Sequence, residues 1–168
     1  MVVNYRKNLN RRAEKSVENR WKLMGQLERI WIKRFHGGPM DPVETAKLRC
    51  GAGIVGSADQ GGWRQVTIMA AREWDQVVET LATPVDPAIR RANLLISGVE
   101  LARSHDQVLR VGHCRLRIRG ETRPCKLMDE VEPGLRTALA SEWRGGVFAE
   151  VLDDGAITIG DPADWCKT

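Results

Sequence analysis

No apolar run in this 168-residue chain approaches a membrane span. The longest, about Leu94–Val99, contains Ser97 and Gly98, whereas a spanning helix needs roughly 18 apolar residues. The basic N-terminus is followed by no apolar h-region, which argues against a secretory signal. There is no C-x-x-C pair and no tight cysteine framework: Cys50, Cys114, Cys125 and Cys166 lie far apart. Free thiols in a reducing, cytoplasmic setting are therefore expected. Repeats and low-complexity tracts are also missing. With 42% hydrophobic and 29% charged residues, the composition excludes wholesale disorder and suits one domain, or one domain plus a tail.

A broad charge excess is missing too, although the formal charge is +4. Residues 1–23 carry seven bases against two acids, and the remainder carries 19 bases against 20 acids. The body is nearly neutral, so the balance gives no support for nucleic acid as a partner. The leading segment spaces Leu9, Ala13, Val17, Trp21 and Met24 four or three apart, as an amphipathic helix would. We read 1–23 as a basic extension, helical or disordered, and 24–168 as the domain.

From Gly25 onward, short apolar runs alternate with turn signals. Leu27–Phe35 reads as a strand with Ile30 and Ile32 on one face, and Gly37-Gly38-Pro39 ends it. Asp41–Leu48 is expected to form one or two helical turns. Gln65–Met69 is β-rich and leads into a helix over Ala71–Leu81, with Trp74, Val77, Val78 and Leu81 on its buried face. Pro84 and Pro87 break that helix, and a strand follows at Asn93–Ile96. His113–Arg119 alternates strictly, with Cys114, Leu116 and Ile118 inward and Arg115, Arg117 and Arg119 outward. Pro133 marks a helix start ahead of a Leu135, Ala138 and Leu139 stripe. Val147–Leu152 and Ala156–Ile159, joined by Asp153-Asp154-Gly155, read as a β-hairpin. Many short strands with two or three helices imply a mainly β barrel or sandwich with helical insertions.

Gly51-Ala-Gly53-Ile-Val-Gly56 matches a dinucleotide fingerprint in letters only. Lys47 and Arg49 interrupt the preceding strand, and Ser57–Gly62 stands where a helix would have to begin. The more informative segment is Thr122-Arg-Pro-Cys125-Lys. Pro124 sets a bend before the thiol, Arg123 and Lys126 flank it, and a short helix begins near Lys126. Cations and a helix N-terminus favour the thiolate, the nucleophilic and metal-binding form; an inert structural cysteine is the competing reading. Cys114 belongs to an apolar strand face, Cys50 to a loop and Cys166 to the chain end. A zinc site from His113, Cys114 and Cys125 is disfavoured because adjacent strand residues point to opposite faces. His36 and His105 stand alone in loop-like stretches. Arg90-Arg91-Ala-Asn93 precedes a strand; forked guanidiniums and an amide suit a phosphate and a heterocycle edge, although two loop arginines are ordinarily a solvated pair.

In order, the chain presents Arg64-Gln65-Val-Thr-Ile, Arg91-Ala-Asn93-Leu, Leu109-Arg-Val-Gly, Thr122-Arg-Pro-Cys125, Pro133-Gly-Leu, Arg144-Gly-Gly-Val-Phe and Gly155…Ile159-Gly-Asp. This series, over about residues 25–165, resembles the MOSC domain, the C-terminal domain of molybdenum cofactor sulfurases. Cys125 fits the family's hallmark cysteine, and Arg91 with Asn93 its Arg-x-Asn motif, with Ala92 where proline is frequent. Residues 57–63 differ from the Gly-Asp-x-x-His form common in relatives.

The resemblance implies a closed, predominantly antiparallel β-barrel with a few short helices. It also implies a bound molybdenum–pterin cofactor, with Cys125 as metal ligand or sulfur carrier and Arg64, Arg91, Asn93, Thr122 and Arg123 as cofactor contacts. Asp129 is the candidate proton donor near the metal. The activity expected is reduction of small N-hydroxylated substrates with electrons from a separate redox protein. The alternative is a persulfide carrier, loaded by a cysteine desulfurase, in cofactor sulfuration or metal–sulfur cluster assembly. Neither expectation involves a membrane or nucleic acid.

Overall fold

The computed structural model describes residues 24–58 and 60–167; the basic segment 1–23 and its helical periodicity lie outside them. Among the described residues, eleven strands and three α-helices follow one another: β1 (Gly25–Lys33), β2 (Met40–Val43), β3 (Thr45–Arg49), β4 (Gly53–Ile54), β5 (Val66–Ala70), α1 (Ala71–Leu81), β6 (Leu94–Ser97), β7 (Val108–Val111), β8 (Cys114–Glu121), α2 (Leu127–Val131), α3 (Leu135–Leu139), β9 (Val147–Val151), β10 (Gly155–Thr158) and β11 (Pro162–Trp165). A 3-10 turn, Pro87–Arg90, links α1 to β6.

Seven strands close on themselves in the order β1-β6-β5-β9-β8-β7-β11 and back to β1. All the pairings are antiparallel except β5–β6, which are parallel and are joined through α1, the crossover such a pair requires. β2 adds to the outside of β1, and β10-β3-β4 form a separate small sheet. The expected closed barrel is therefore the architecture found. No helix among the described residues is long and apolar enough to cross a membrane.

Side-chain alternation fills the barrel. On β8, Cys114, Leu116 and Ile118 are fully buried and meet Leu109, Val111, Ala149 and Val151 from the neighbouring strands. β5 is buried on both faces: Val66, Ile68 and Ala70 point into the barrel, and Met69 points outward under the helices. Such a strand reads as an uninterrupted apolar run, as Val66–Ala70 does. On β1, a register shift between Leu27 and Arg29 changes the inward parity. Leu27 and Ile30 thus share the barrel core, with Ile32 packed against it, while Trp31 faces the other way. A second core forms where α1 and α3 cover that outer face, with Trp31, Met69, Leu95, Trp74, Val77, Leu135, Ala138 and Leu139 in it.

Two expectations are corrected here. Asp41–Leu48 is not helical but runs as β2 and β3, with Ala46 and Leu48 buried and Thr45, Lys47 and Arg49 exposed. The Asp153-Asp154-Gly155 turn does not fold a hairpin. β9 has β5 and β8 on its two edges, and β10 pairs with β3, Thr158 lying opposite Thr45. The two aspartates serve other chains of contact: Asp153 accepts from the Arg115 backbone and guanidinium at 2.9 Å, and Asp154 Oδ1 accepts from the Cys50 backbone N–H at 2.7 Å.

The barrel closes at Gly25, opposite Ala163 on β11. A Cβ there would stand 2.3 Å from the Ala163 carbonyl oxygen and 2.4 Å from Val99 Cγ2, so the seam needs glycine for space. Gly51, with φ +68°, faces open space and needs glycine only for its backbone. Urea unfolding should separate the two: Gly25→Ala is expected to cost roughly 2–3 kcal/mol by forcing the seam apart, and Gly51→Ala about 1 kcal/mol. Equal losses would mean the seam is not the constraint.

Candidate functional site

The site is assembled where the end of β8 meets the helical layer. Thr122 continues β8 by donating its backbone N–H to the Gly146 carbonyl at 2.8 Å. The chain then turns through Pro124 to Cys125, whose carbonyl accepts from the Met128 N–H at 3.1 Å as α2 begins. Cys125 is exposed, whereas Cys114 is fully buried. The thiol expected to carry chemistry is thus accessible, as is Cys50, and lies at the edge of the barrel.

Behind this loop lies Arg90, only 6% exposed. Its Nε donates to the Gly145 carbonyl and its Nη2 to the Thr122 carbonyl, both at 3.0 Å. Burial pushes Arg90 down to about 10, the like charge of Arg64 pushes the same way, and the Cys125 thiol opposes them. Arg90 therefore lies within electrostatic range of Arg64 and Cys125. The loop arginines are not the solvated pair their position suggested: Arg90 ends the 3-10 turn inside the protein, and Arg91 follows at φ 62°. Arg91 Nη2 is buried with no hydrogen-bond partner, as is Thr122 Oγ1. Two buried donors without acceptors, on segments that the Arg90–Thr122 bond brings together, are the mark of a place for an acceptor-rich ligand, because buried polar groups are nearly always paired.

The other sequence-derived residues divide. Arg64 lies 5.9 Å over the Phe148 ring. Arg123, with a side chain 87% exposed, sits 3.5 Å from the Glu121 carboxylate. Asn93 is buried and works inside the protein: its Oδ1 accepts from the Thr67 N–H and hydroxyl, and its Nδ2 donates to the Trp31 carbonyl and Ser57 Oγ. That amide ties β5, β6, β1 and the loop after β4 together. Asp129 Oδ1 accepts from the Arg136 N–H at 3.0 Å in the first turn of α3. No group of three His, Cys, Asp or Glu side chains among the described residues is placed to hold a metal alone; a metal at Cys125 would need further ligands from a cofactor.

Sequence reading weighed Arg90 only as half of a loop pair facing a phosphate or solvent, and Arg144-Gly-Gly only as one motif of the ordered series, so neither the internal role of Arg90 nor that of the glycines was seen. A Cβ on Gly145 would stand 2.2 Å from the Thr122 carbonyl oxygen, and one on Gly146 would stand 2.2 Å from that of Ile68. Only a Gly-Gly turn lets this segment lie against the Cys125 loop and offer a carbonyl to Arg90. The Arg144-Gly-Gly motif was the available signal.

Two outcomes follow. Iodoacetamide at mildly alkaline pH should label Cys125 and Cys50 in the folded protein. Cys114, whose thiol is pushed up by burial and then by Asp153, Asp161 and Asp154, should react only on unfolding; native labelling of Cys114 would contradict the buried barrel face. Arg90→Ala strips two carbonyls of their donor and should cost about 3 kcal/mol in urea unfolding. Arg90→Lys should recover only part, since one ammonium lacks the fork that spans both oxygens.

Comparison with known proteins bears on the fold. The chain shares its fold with the YuaD protein of Bacillus subtilis, at a TM-score of 0.70 and 20% identity over 83% of this chain and 94% of that one. It is similar to YiiM of Geobacillus stearothermophilus, at 0.68 and 16% over 85% and 75% of the two chains. YiiM of Escherichia coli gives 0.64 and 13% over 85% and 70%. No curated protein sequence matches. The family model of the MOSC domain matches residues 33–164, and the chain belongs to the MOSC domain family.

Proposed function

We propose that this protein binds a molybdenum–pterin cofactor through Cys125 and reduces N-hydroxylated compounds, such as amidoximes or hydroxylamines, with electrons from a separate redox protein. The observation that carries the reading is the exposed Cys125 thiol beside buried Arg90, with Arg91 Nη2 and Thr122 Oγ1 left without partners. MOSC domains are associated with this cofactor, and the residues present fit it. A thiolate is a soft ligand suited to such a metal. The unpaired guanidinium nitrogen and hydroxyl are donors for phosphate and pterin oxygens, and Arg64 and Arg123 add positive charge at the opening. Asn93 holds the strands behind the site, as its hydrogen bonds require.

When bound, the cofactor would supply two-electron reduction chemistry. The net reaction takes R–NHOH, two protons and two electrons to R–NH2 and water. Cys125 would hold the metal and Arg91 and Thr122 would donate to the cofactor's oxygens, while the Arg90 bonds keep the loop from shifting. Asp129 is the proposed proton donor through the carboxylate oxygen that does not cap α3. A second reading rests on the same exposure: a thiol flanked by Arg123 and Lys126 and open to a protein partner suits a persulfide carrier loaded by a cysteine desulfurase.

The two readings are separated by one set of measurements on protein from a cofactor-competent host. Molybdenum and fluorescent pterin should be near stoichiometric in the wild type and at least about tenfold lower in Cys125→Ala. The loaded protein with an artificial electron donor should then reduce benzamidoxime. Absence of metal and pterin, together with a gain of about 32 Da on Cys125 after desulfurase treatment, would replace the first reading by the second.

A further inference from the structure

A groove of about 550 Å³ opens between three elements: the first turns of α1 with Arg72 and Glu73, the β6–β7 connection with Glu100 and Arg103, and the α3–β9 turn with Glu142 and Trp143. None of the motifs that led to Cys125 falls in it, apart from the turn it shares with Arg144-Gly-Gly.

Three features distinguish this groove from an ordinary surface depression. The first is its charge state. Arg72, Glu73, Glu100 and Arg103 bring both signs to one concavity, yet no ion pair joins any of them among the described residues; the one pair in the lining is Glu142 to Arg144 at 3.9 Å. Opposite charges on one wall would ordinarily close on each other. The second is Glu73, whose Oε2 is shut off from solvent and accepts no hydrogen bond. A buried carboxylate oxygen without a donor is costly, and a ligand donor would remove that cost. The third is backbone strain. Arg103, Glu142 and Trp143 all have positive φ, at 59°, 53° and 60°. Such a conformation is a true outlier for a residue as bulky as tryptophan, and strain of this kind gathers at ligand clamps. The two consecutive residues line the same space, the Trp143 indole being packed on its other side against the barrel core.

The acceptors lie on Glu73, Glu100 and Glu142, an aromatic plane on Trp143, and donors of positive charge on Arg72 and Arg103. A planar cation that donates several N–H groups to carboxylates and stacks on an indole satisfies the first two sets. A carboxylate on the same molecule satisfies the third. We propose that this groove binds a small zwitterion bearing a guanidinium or amidinium group and a carboxylate, the chemical pattern of arginine. The groove shares the Ser141–Gly146 turn with the thiol site: the Trp143 carbonyl accepts from the Gly146 N–H at 2.8 Å, and Gly145 holds Arg90. A ligand seated there touches the turn that positions the Cys125 loop.

Titration calorimetry on the metal-free full-length protein tests this without molybdenum, so its failure leaves the cofactor reading untouched. L-Arginine is expected to bind saturably at one site per chain. Affinity should fall at least about tenfold for agmatine, which lacks the carboxylate, and for L-norleucine, which lacks the guanidinium. Glu73→Gln should weaken L-arginine by a similar factor. Glu100→Gln, on a separate connection, provides the same test should the first variant fail to fold. No saturable binding of L-arginine, norleucine binding as tightly, or unchanged affinity in both variants would overturn the proposal.

Discussion

The site depends on one buried guanidinium. Arg90 reaches from the 3-10 turn to the carbonyls of Thr122 and Gly145, and so joins three segments that are distant in sequence. A buried charge must be met by oriented acceptors or it destabilises the fold. The two carbonyls must therefore stay where they are, which fixes the Cys125 loop on one side and the Gly145-Gly146 turn on the other. Gly145 follows from the same constraint, because a Cβ there would collide with the Thr122 carbonyl oxygen at 2.2 Å, and Gly146 is required separately by the Ile68 carbonyl. One hydrogen-bonded cation thus holds three segments in register.

The surrounding architecture explains why the thiol stands at this edge. The barrel interior is entirely apolar in its largest side chains, and it has no room for a reactive group. Cys114 shows what happens to a thiol placed there: it packs as a small hydrophobe, and burial disfavours its charged form. Cys125 lies just past the end of β8, where the strand gives way to α2, outside both cores. It therefore keeps access to solvent while its carbonyl is held by α2, and Thr122, three residues before it, is held by Gly146. Asn93 performs the matching task for the neighbouring strands, since its amide substitutes for ladder bonds where β6 has not yet begun.

How far the sequence could be read depended on whether the signal was local. The alternation of β8, the face of α1 and the stripe of α3 are set by side-chain periodicity, and each is found as expected. The closed barrel came from the ordered motifs, and Cys125 from its flanking Pro124, Arg123 and Lys126. The Asp-Gly turn misled because turn chemistry specifies a reversal but not a partner; the edges of β9 were already taken by strands from elsewhere. β2 and β3 were hidden because four or five residues carry too little pattern to separate a strand from a helical turn. Arg90 was hidden by type, as arginine beside arginine on a connection reads as solvated until the two carbonyls arrive from Thr122 and Gly145.

Charge shows the same dependence on partners. Three arginines of the barrel's outer face are held by acids: Arg115 by Asp153, Arg119 by Glu150 and Arg110 by Asp164. These pairs interrupt the basic stripe that the alternation of β8 would otherwise display, and they leave Arg117 without an ion pair among the described residues. Near Cys125 the pattern differs. Arg90 is answered by carbonyl dipoles and not by a carboxylate, Arg64 lies over an aromatic ring, and Arg91 ends in a nitrogen with no acceptor. Around Cys125, Arg90, Arg64 and Arg91 are therefore positive charges without a carboxylate partner. A local potential of this kind orients an anionic ligand even on a protein of small net charge.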